Sequence, residues 1–143
     1  MRDHELLEEE LTHSVIGGFF EVYNTFGYGL LEQVCMAALE RELRARGHAV
    51  GREVHVPVFY KGEEIARQRI DMIVDERLVV EAKATQELHK SASRQVYNYL
   101  RVTRLQVGLL LHFGPEPSFH RITCAQSGSP ESGTHRERRT RNR

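Results

Sequence analysis

The chain has 143 residues, 40% of them hydrophobic, which is enough to build the core of one globular domain. Its 20 basic and 20 acidic residues cancel, but residues 126–143 hold five arginines and two glutamates (net +3), so residues 1–125, with 15 basic and 18 acidic groups, carry −3. This acidic balance argues against tight nucleic-acid binding through charge alone. The apolar runs are also too short to cross a bilayer.

Two amphipathic helices are predicted in the first third of the chain. Apolar residues recur at helical spacing over residues 5–24, and Gly27 and Gly29 end that pattern. A second helix is predicted over residues 30–46, with an apolar stripe that points Leu31, Val34, Cys35, Ala38 and Leu39 inward.

The rest of the folded part alternates between strands and a helix. Strands are predicted at residues 53–60, 64–74, 77–84, 106–113 and 118–123, and a third helix at 91–103. This order predicts an α/β fold with a mixed central sheet flanked by helices. Residues 1–125 are expected to form one domain, and residues 126–143, rich in Gly, Pro, Ser and Arg, a disordered tail.

Three charged residues in the hairpin of the second and third strands suggest a metal site. If the loop between these strands has three residues, Val74 opposes Leu78 and Asp71 opposes Glu81 on one face of the sheet. Two facing carboxylates repel each other, and a hard divalent cation relieves that repulsion. Lys83 returns to the same face at a period of two residues. This D-x9-E-x-K array is typical of phosphodiester cleavage, in which an ammonium beside the metal stabilises the transition state.

The alternative interpretation is that these three residues form exposed salt bridges, as most charged groups on strands do. The residues around Glu81 favour the metal site. Leu78, Val79 and Val80 precede it and two alanines follow, so the strand is predicted to be largely buried, where an unpaired charge is costly.

The chain resembles the GxxExxY proteins of the PD-(D/E)XK nuclease superfamily from about Leu11 to Gly114. One departure from the family pattern is Cys35, which stands at the final tyrosine of GxxExxY, whereas Gly29 and Glu32 are retained. The matching stretches are Ile16–Val22, Gly27–Leu39, Arg69–Asp71, Val79–Ala84, Gln95–Leu100 and Val107–Gly114.

The resemblance implies a PD-(D/E)XK nuclease-like core and assigns further residues to the site. Asp71, Glu81, the backbone carbonyl of Ala82 and Glu32 would hold Mg²⁺ or Mn²⁺, and Lys83 would activate water. Glu32 also falls within the apolar arc of its helix, although the alternative is a carboxylate that is favoured by the helix N-terminus.

Substrate contacts are predicted on the neighbouring elements. The resemblance places Gln95 beside the site, where its amide can reach Lys83, a water or a phosphate. Arg67 and Arg69 share the strand face of Asp71 and suit phosphate contacts, although surface ion pairs are the alternative. For Tyr99 core packing is the preferred interpretation.

Other metal and redox chemistry is not indicated. The eight histidines have no zinc-binding spacing, and His112 is expected to be a buried, hydrogen-bonded imidazole. Cys35 and Cys124 are too few for a disulfide framework or an iron–sulfur cluster, and Cys35 is expected to be a packing residue.

Two functions follow from the sequence. The first is a Mg²⁺- or Mn²⁺-dependent nuclease, with DNA favoured over RNA and with a homodimer or a partner protein helping to hold the polymer. The alternative is a non-catalytic nuclease-fold module that binds a protein partner or nucleic acid, which the acidic charge and the lost tyrosine favour. The acidic N-terminus lacks signal-peptide features, so the expected location is the cytoplasm and not a membrane.

Overall fold

The computed structural model describes residues 7–125 and 141–142. Three helices and six strands are formed: α1 (Glu9–Phe26), α2 (Glu32–Ala45), β1 (Val50–Tyr60), β2 (Glu63–Val74), β3 (Leu78–Lys83), α3 (Ala92–Thr103), β4 (Val107–Phe113), β5 (Pro117–Thr123) and β6 (Arg141–Asn142). The strands form one sheet in chain order. β3 and β4 run parallel and all other neighbours run antiparallel. The predicted α/β fold with a mixed sheet flanked by helices is confirmed.

The sheet carries a core on each face. Side chains alternate along a strand, so one set of residues in β3 and β4 faces α1 and α2 and the other set faces α3. Val80 and Leu109 belong to the cluster that contains Phe19 of α1, whereas Val79 and Leu110 belong to the α3 cluster. Strands buried on both sides explain the continuous apolar runs of β3 and β4.

α3 makes the crossover that a parallel strand pair requires, and Gly108 lets it pack closely on the sheet. A Cβ atom at Gly108 would lie 2.7 Å from Val96 Cγ1 of α3 and 3.4 Å from the Val79 carbonyl oxygen. Glycine is therefore needed here because a side chain would not fit between β4 and α3, not because of the backbone conformation.

The β2–β3 hairpin separates partway along its length. The predicted register is confirmed, since Val74 pairs with Leu78, but the ladder ends at Met72 and Val80. β2 continues beyond this point as an arm, Glu63–Asp71, that pairs with β1. The predicted pairing of Asp71 with Glu81 is therefore not part of the ladder, and the two residues flank the fork where the strands diverge.

β1 is irregular at the same level. Glu53 has the left-handed φ of 52°, which is uncommon for a residue with a side chain, and the β1–β2 pairing passes from Arg52–Met72 to Val54–Ile70. The distortion lies opposite Asp71, so both strands change course where the fork begins.

The orientation of α2 differs from the prediction. The helix begins at Glu32, and Leu31 precedes it with 73% of its surface exposed. Val34 is also exposed, so the prediction that Leu31 and Val34 point inward is wrong. The buried stripe of α2 consists of Cys35, Met36, Leu39 and Leu43.

The predicted disordered tail lies largely outside the described residues. Of residues 126–143 the structure describes only Arg141–Asn142, which pair with His120 and Arg121 of β5. No helix in the described part of the chain is both long and apolar enough to cross a membrane.

Candidate active site

Asp71 occupies the fork between β2 and β3. Its Oδ2 lies 3.5 Å from the backbone nitrogen of Ala82, where a ladder bond would otherwise continue. In an antiparallel ladder the N–H and C=O of one residue point toward the same neighbouring strand. The Ala82 carbonyl is therefore also directed toward the gap that Asp71 enters.

Glu81 is a buried carboxylate with incomplete pairing. The residue is only 4% exposed, and its Oε2 lies 3.3 Å from Lys83 Nζ. Its Oε1 is buried without a hydrogen-bond partner among the described residues. Burial and then the charge of Asp71 raise the pKa of Glu81 to about 7, against the opposing effect of Lys83. Near neutral pH this carboxyl group is therefore poised between its two protonation states.

Glu32 brings a third carboxylate to the same place from the first turn of α2. Burial and then Asp71 raise the pKa of Glu32, while Lys83, the backbone N–H of Ala84 and Arg69 oppose the shift. The sequence offered two alternatives for Glu32, a position in the site and a position at the start of a helix. Glu32 has both positions, because the first turn of α2 faces the hairpin. The structure thus brings Glu32, Asp71, Glu81 and Lys83 into one electrostatically coupled group.

This group fits a divalent ion that is held partly by the backbone. Within the described residues no three Asp, Glu, His or Cys side chains form a complete metal cage. Mg²⁺, however, usually keeps several waters and is held by one or two carboxylates. The free Oε1 of Glu81, the carboxylate of Asp71 and the Ala82 carbonyl are oxygen donors of that kind. A cavity of about 40 Å³ lined by Glu32 and Asp71 has room for a water molecule.

The two arginines predicted on the face of Asp71 have different surroundings. Arg69 lies 3.7 Å from Asp71 and 3.4 Å from Glu53, with half of its side chain exposed. Arg67 is exposed farther out on the arm, where it pairs with Glu64 at 2.9 Å. Arg69 therefore belongs to the site, whereas Arg67 contacts none of its carboxylates among the described residues.

α3 forms the opposite wall of the site. Gln95 and Lys83 line the same two cavities. Tyr99 is 5% exposed, and burial followed by the charge of Glu81 raises its pKa, while a side-chain hydrogen bond with Gln68 opposes the shift. The preferred interpretation of Tyr99 as a packed residue with a local hydroxyl partner agrees with this geometry.

His112 anchors the segment that follows Lys83. It is buried, and its Nε2 lies 2.8 Å from the Thr85 carbonyl oxygen, so Nε2 carries a proton and donates to that oxygen. Its neighbour across the parallel ladder is Lys83. The expected buried, hydrogen-bonded imidazole is confirmed, and it fixes the chain directly beyond the site.

Cys35 lies one helical turn after Glu32. It is 1% exposed and packs in the core under α1 and α2, as expected. Burial and then the charge of Glu32 raise the pKa of its thiol. The sulfur therefore fills space beside the site and has little nucleophilic character.

The sequence did not identify Gln68, Arg94 and Asn98, which line the larger cavity beside Lys83. One signal was present, because Arg94 and Asn98 are separated by one helical turn on the helix of Gln95. Gln68 carried no such signal, since its place depends on the divergence of the β2 arm.

Comparison with known families supports the architecture. A sequence model of the PD-(D/E)XK nuclease superfamily matches residues 9–122, which is more than half of the chain. Comparison with curated proteins and with solved structures found no significant match. Nucleases of this superfamily generally use divalent metal ions and act on nucleic acid. On the matched residues, which include the forked hairpin and its carboxylates, the chain belongs to the PD-(D/E)XK nuclease superfamily.

Proposed function

We propose that the protein is a nuclease that hydrolyses phosphodiester bonds of nucleic acid with Mg²⁺ or Mn²⁺ as its cofactor. The observation that carries the proposal is the Glu81 carboxylate, which is buried, lies among other charges, and has one oxygen that finds no partner in the described part of the chain. Burying such a group is costly for folding, and binding a cation offsets the cost. Membership of the superfamily supports the same reaction class.

Asp71, Glu81, the Ala82 carbonyl and Glu32 are the residues that would hold the ion. Bound there, a divalent cation supplies Lewis-acid polarisation of the phosphate and favours the deprotonated form of the attacking water. The protein itself holds the oxygen donors in place. Pairing with Leu110 of the buried strand β4 fixes the backbone of Glu81, and the start of α2 fixes Glu32.

Lys83 provides the fixed positive charge of the site. Its ammonium lies 3.3 Å from the Glu81 carboxylate, where it would attract a phosphate that the carboxylates alone would repel. There it stabilises the negative charge that develops during in-line displacement. Gln95 and Arg69 orient the substrate beside it, and Arg67 contacts phosphate farther along the arm.

The finer assignments follow from the sequence. Within the superfamily the motif residues Gly29 and Glu32 support assignment to the GxxExxY proteins. DNA is the favoured substrate over RNA, a homodimer or a partner protein helps to hold the polymer, and the site of action is the cytoplasm. These assignments remain predictions.

Cleavage assays on labelled single- and double-stranded DNA and RNA in Mn²⁺ or Mg²⁺ test the proposal. Lys83→Met should lower cleavage by a factor on the order of 10² or more, as the loss of one preorganised electrostatic group does. Lys61→Met is the matched control, because Lys61 lies at the exposed tip of the β1–β2 hairpin. It should retain wild-type activity, and a chelator should abolish cleavage.

Equal cleavage by wild type and Lys83→Met would exclude the proposed role of Lys83 and indicate a contaminating nuclease. Absence of cleavage on every substrate would favour the alternative function, a nuclease-fold module that binds a partner without turnover. The net charge of −3 over residues 1–125 favours that alternative.

A further inference from the structure

A cleft opens between the β2 arm and α3, next to the carboxylates. It has a volume of about 570 Å³, and its lining includes Gln68 from the arm, Lys83 from β3 and five residues of α3, among them Arg94, Gln95, Asn98 and Tyr99. The cleft exists because β2 leaves β3 at the fork. Gln68 still pairs with β1, but the side of the arm that would have continued the β2–β3 ladder is open.

The charge of this cleft is opposite to that of the folded part as a whole. The cationic side chains of its lining are Lys83, which pairs with Glu81 beneath the cleft, and Arg94, and no aspartate or glutamate belongs to the described lining. Residues 1–125 carry a net charge of −3, so a cationic cleft is a local departure. Such a lining attracts phosphate groups, which the acidic remainder of the domain repels.

The polar side chains of the cleft suit the edges of unpaired bases. Gln68, Gln95 and Asn98 each carry an amide that both donates and accepts hydrogen bonds. Donors and acceptors of this kind can match several base edges, which is how unpaired bases are commonly bound. The buried hydroxyl of Tyr99, bonded to Gln68, connects the two walls.

A second cavity adjoins the cleft at Lys83. It has a volume of about 240 Å³, shares Lys83, Ser91 and Gln95 with the first and extends toward Thr85, Glu87 and Leu88, so its lining includes one carboxylate. Lys83 therefore lies where two adjoining cavities meet. A strand whose scissile phosphate lies at Lys83 would have one flanking nucleotide in each cavity.

We propose that the cleft binds single-stranded nucleic acid, with an unpaired nucleotide held between Gln68 on the arm and Arg94 and Asn98 on α3. This inference rests on the proposed function, since it assigns the substrate class of the same site. The volume of the cleft falls in the range of about 300–1,000 Å³ that suits one small ligand. A base of a duplex could enter only after it is unstacked and unpaired, which opposes binding.

Fluorescence anisotropy with the full chain in chelator tests the inference without cleavage. The probes are labelled DNA and RNA single strands of about 12 nucleotides and duplexes of the same length. Wild type should bind the single strands tighter than the duplexes by a factor on the order of 10 or more, because of the unstacking cost. Comparison of the DNA and RNA strands identifies the preferred sugar.

Two variants with matched controls locate the binding site. Asn98→Asp places a negative charge in the cleft and should weaken single-strand binding by a factor on the order of 10. Asn24→Asp, at an exposed position of α1, should leave binding unchanged. Arg94→Ala should reduce the slope of log affinity against log salt by about 0.7, the value for one phosphate contact of a single strand. Arg41→Ala, on α2 across the sheet, should not alter the slope.

Duplexes bound as tightly as single strands, or equal binding by Asn98→Asp and Asn24→Asp, would overturn the inference. So would the absence of nucleic-acid binding, which would point to a protein partner. The proposed nuclease function stands or falls separately, on Lys83-dependent cleavage in Mn²⁺. Single-strand binding that depends on the cleft, without any turnover, would support this inference and refute the proposed function.

Discussion

Replacing Glu81 by glutamine should change how stability depends on pH in the absence of metal. Burial raises the pKa of Glu81 from an ordinary 4.5 to about 7, with Asp71 adding to the effect. The folded state therefore prefers the protonated form more strongly than the unfolded state does. The resulting contribution to stability is complete below pH 4.5 and is lost as pH rises through about 7.

The expected size follows from the shift. One pKa unit corresponds to about 1.4 kcal/mol, so the wild type should lose about 3 kcal/mol relative to Glu81→Gln between acidic and mildly alkaline pH. Glutamine has nearly the same shape as protonated glutamic acid and cannot ionise. For a domain of this size the difference corresponds to a melting-temperature gap on the order of 10 °C, which opens as pH rises from 4.5 through about 7.

Thermal unfolding of wild type and Glu81→Gln over this pH range, in chelator, measures the effect. Glu21→Gln, at an exposed position of α1, is the control and should follow the wild type. Parallel pH profiles for wild type and Glu81→Gln would refute the reasoning. So would a wild type that gains stability relative to the variant as pH rises.

Three further predictions concern metal, packing and acid stability. Mn²⁺ should raise the melting temperature of the wild type by mass action, and Asp71→Asn should weaken that rise; an unchanged metal response would exclude Asp71 from the metal site. Gly108→Ala should destabilise the fold by about 1–3 kcal/mol in chemical denaturation, because the new methyl group would lie 2.7 Å from a valine of α3, and unchanged stability would show that α3 shifts freely. Burial alone would raise the pKa of Asp75, but hydrogen bonds from the Ala49 N–H and His48 outweigh burial and lower it. Asp75→Asn should therefore destabilise the protein near neutral pH, and the difference should fade as pH falls below the ordinary value of 3.8; a constant difference in acid unfolding would contradict the assignment.

The sequence predicted the elements whose patterns are local. The Val74–Leu78 register followed from the length of one turn, and α3 and β4 followed from their periodicity. The proximity of Glu81 and Lys83 followed in the same way, because period-two spacing within one strand depends on near neighbours only. Such patterns are set by local geometry and burial, which a single sequence records.

The sequence did not predict the features that depend on how strands diverge. The left-handed Glu53 at the fork is a conformation that a glutamate rarely adopts, so its residue type gave no signal. Gln68 meets Tyr99 only because the arm leaves β3, and that contact joins residues far apart in the chain. Leu31 was assigned to the core because it was counted as part of the helix, whereas it precedes α2 in an extended conformation and so does not follow the helical periodicity.

The β2 arm also has a consequence for the behaviour of the protein at high concentration. From Glu63 to Asp71 the described pairing leaves one backbone edge of β2 open, and open edges can pair with other chains and aggregate. Five of these nine positions carry a charge, and charged side chains are a common protection of such edges. The charged side chains of the arm therefore contribute to solubility. Replacing them by neutral residues would favour association through the open edge.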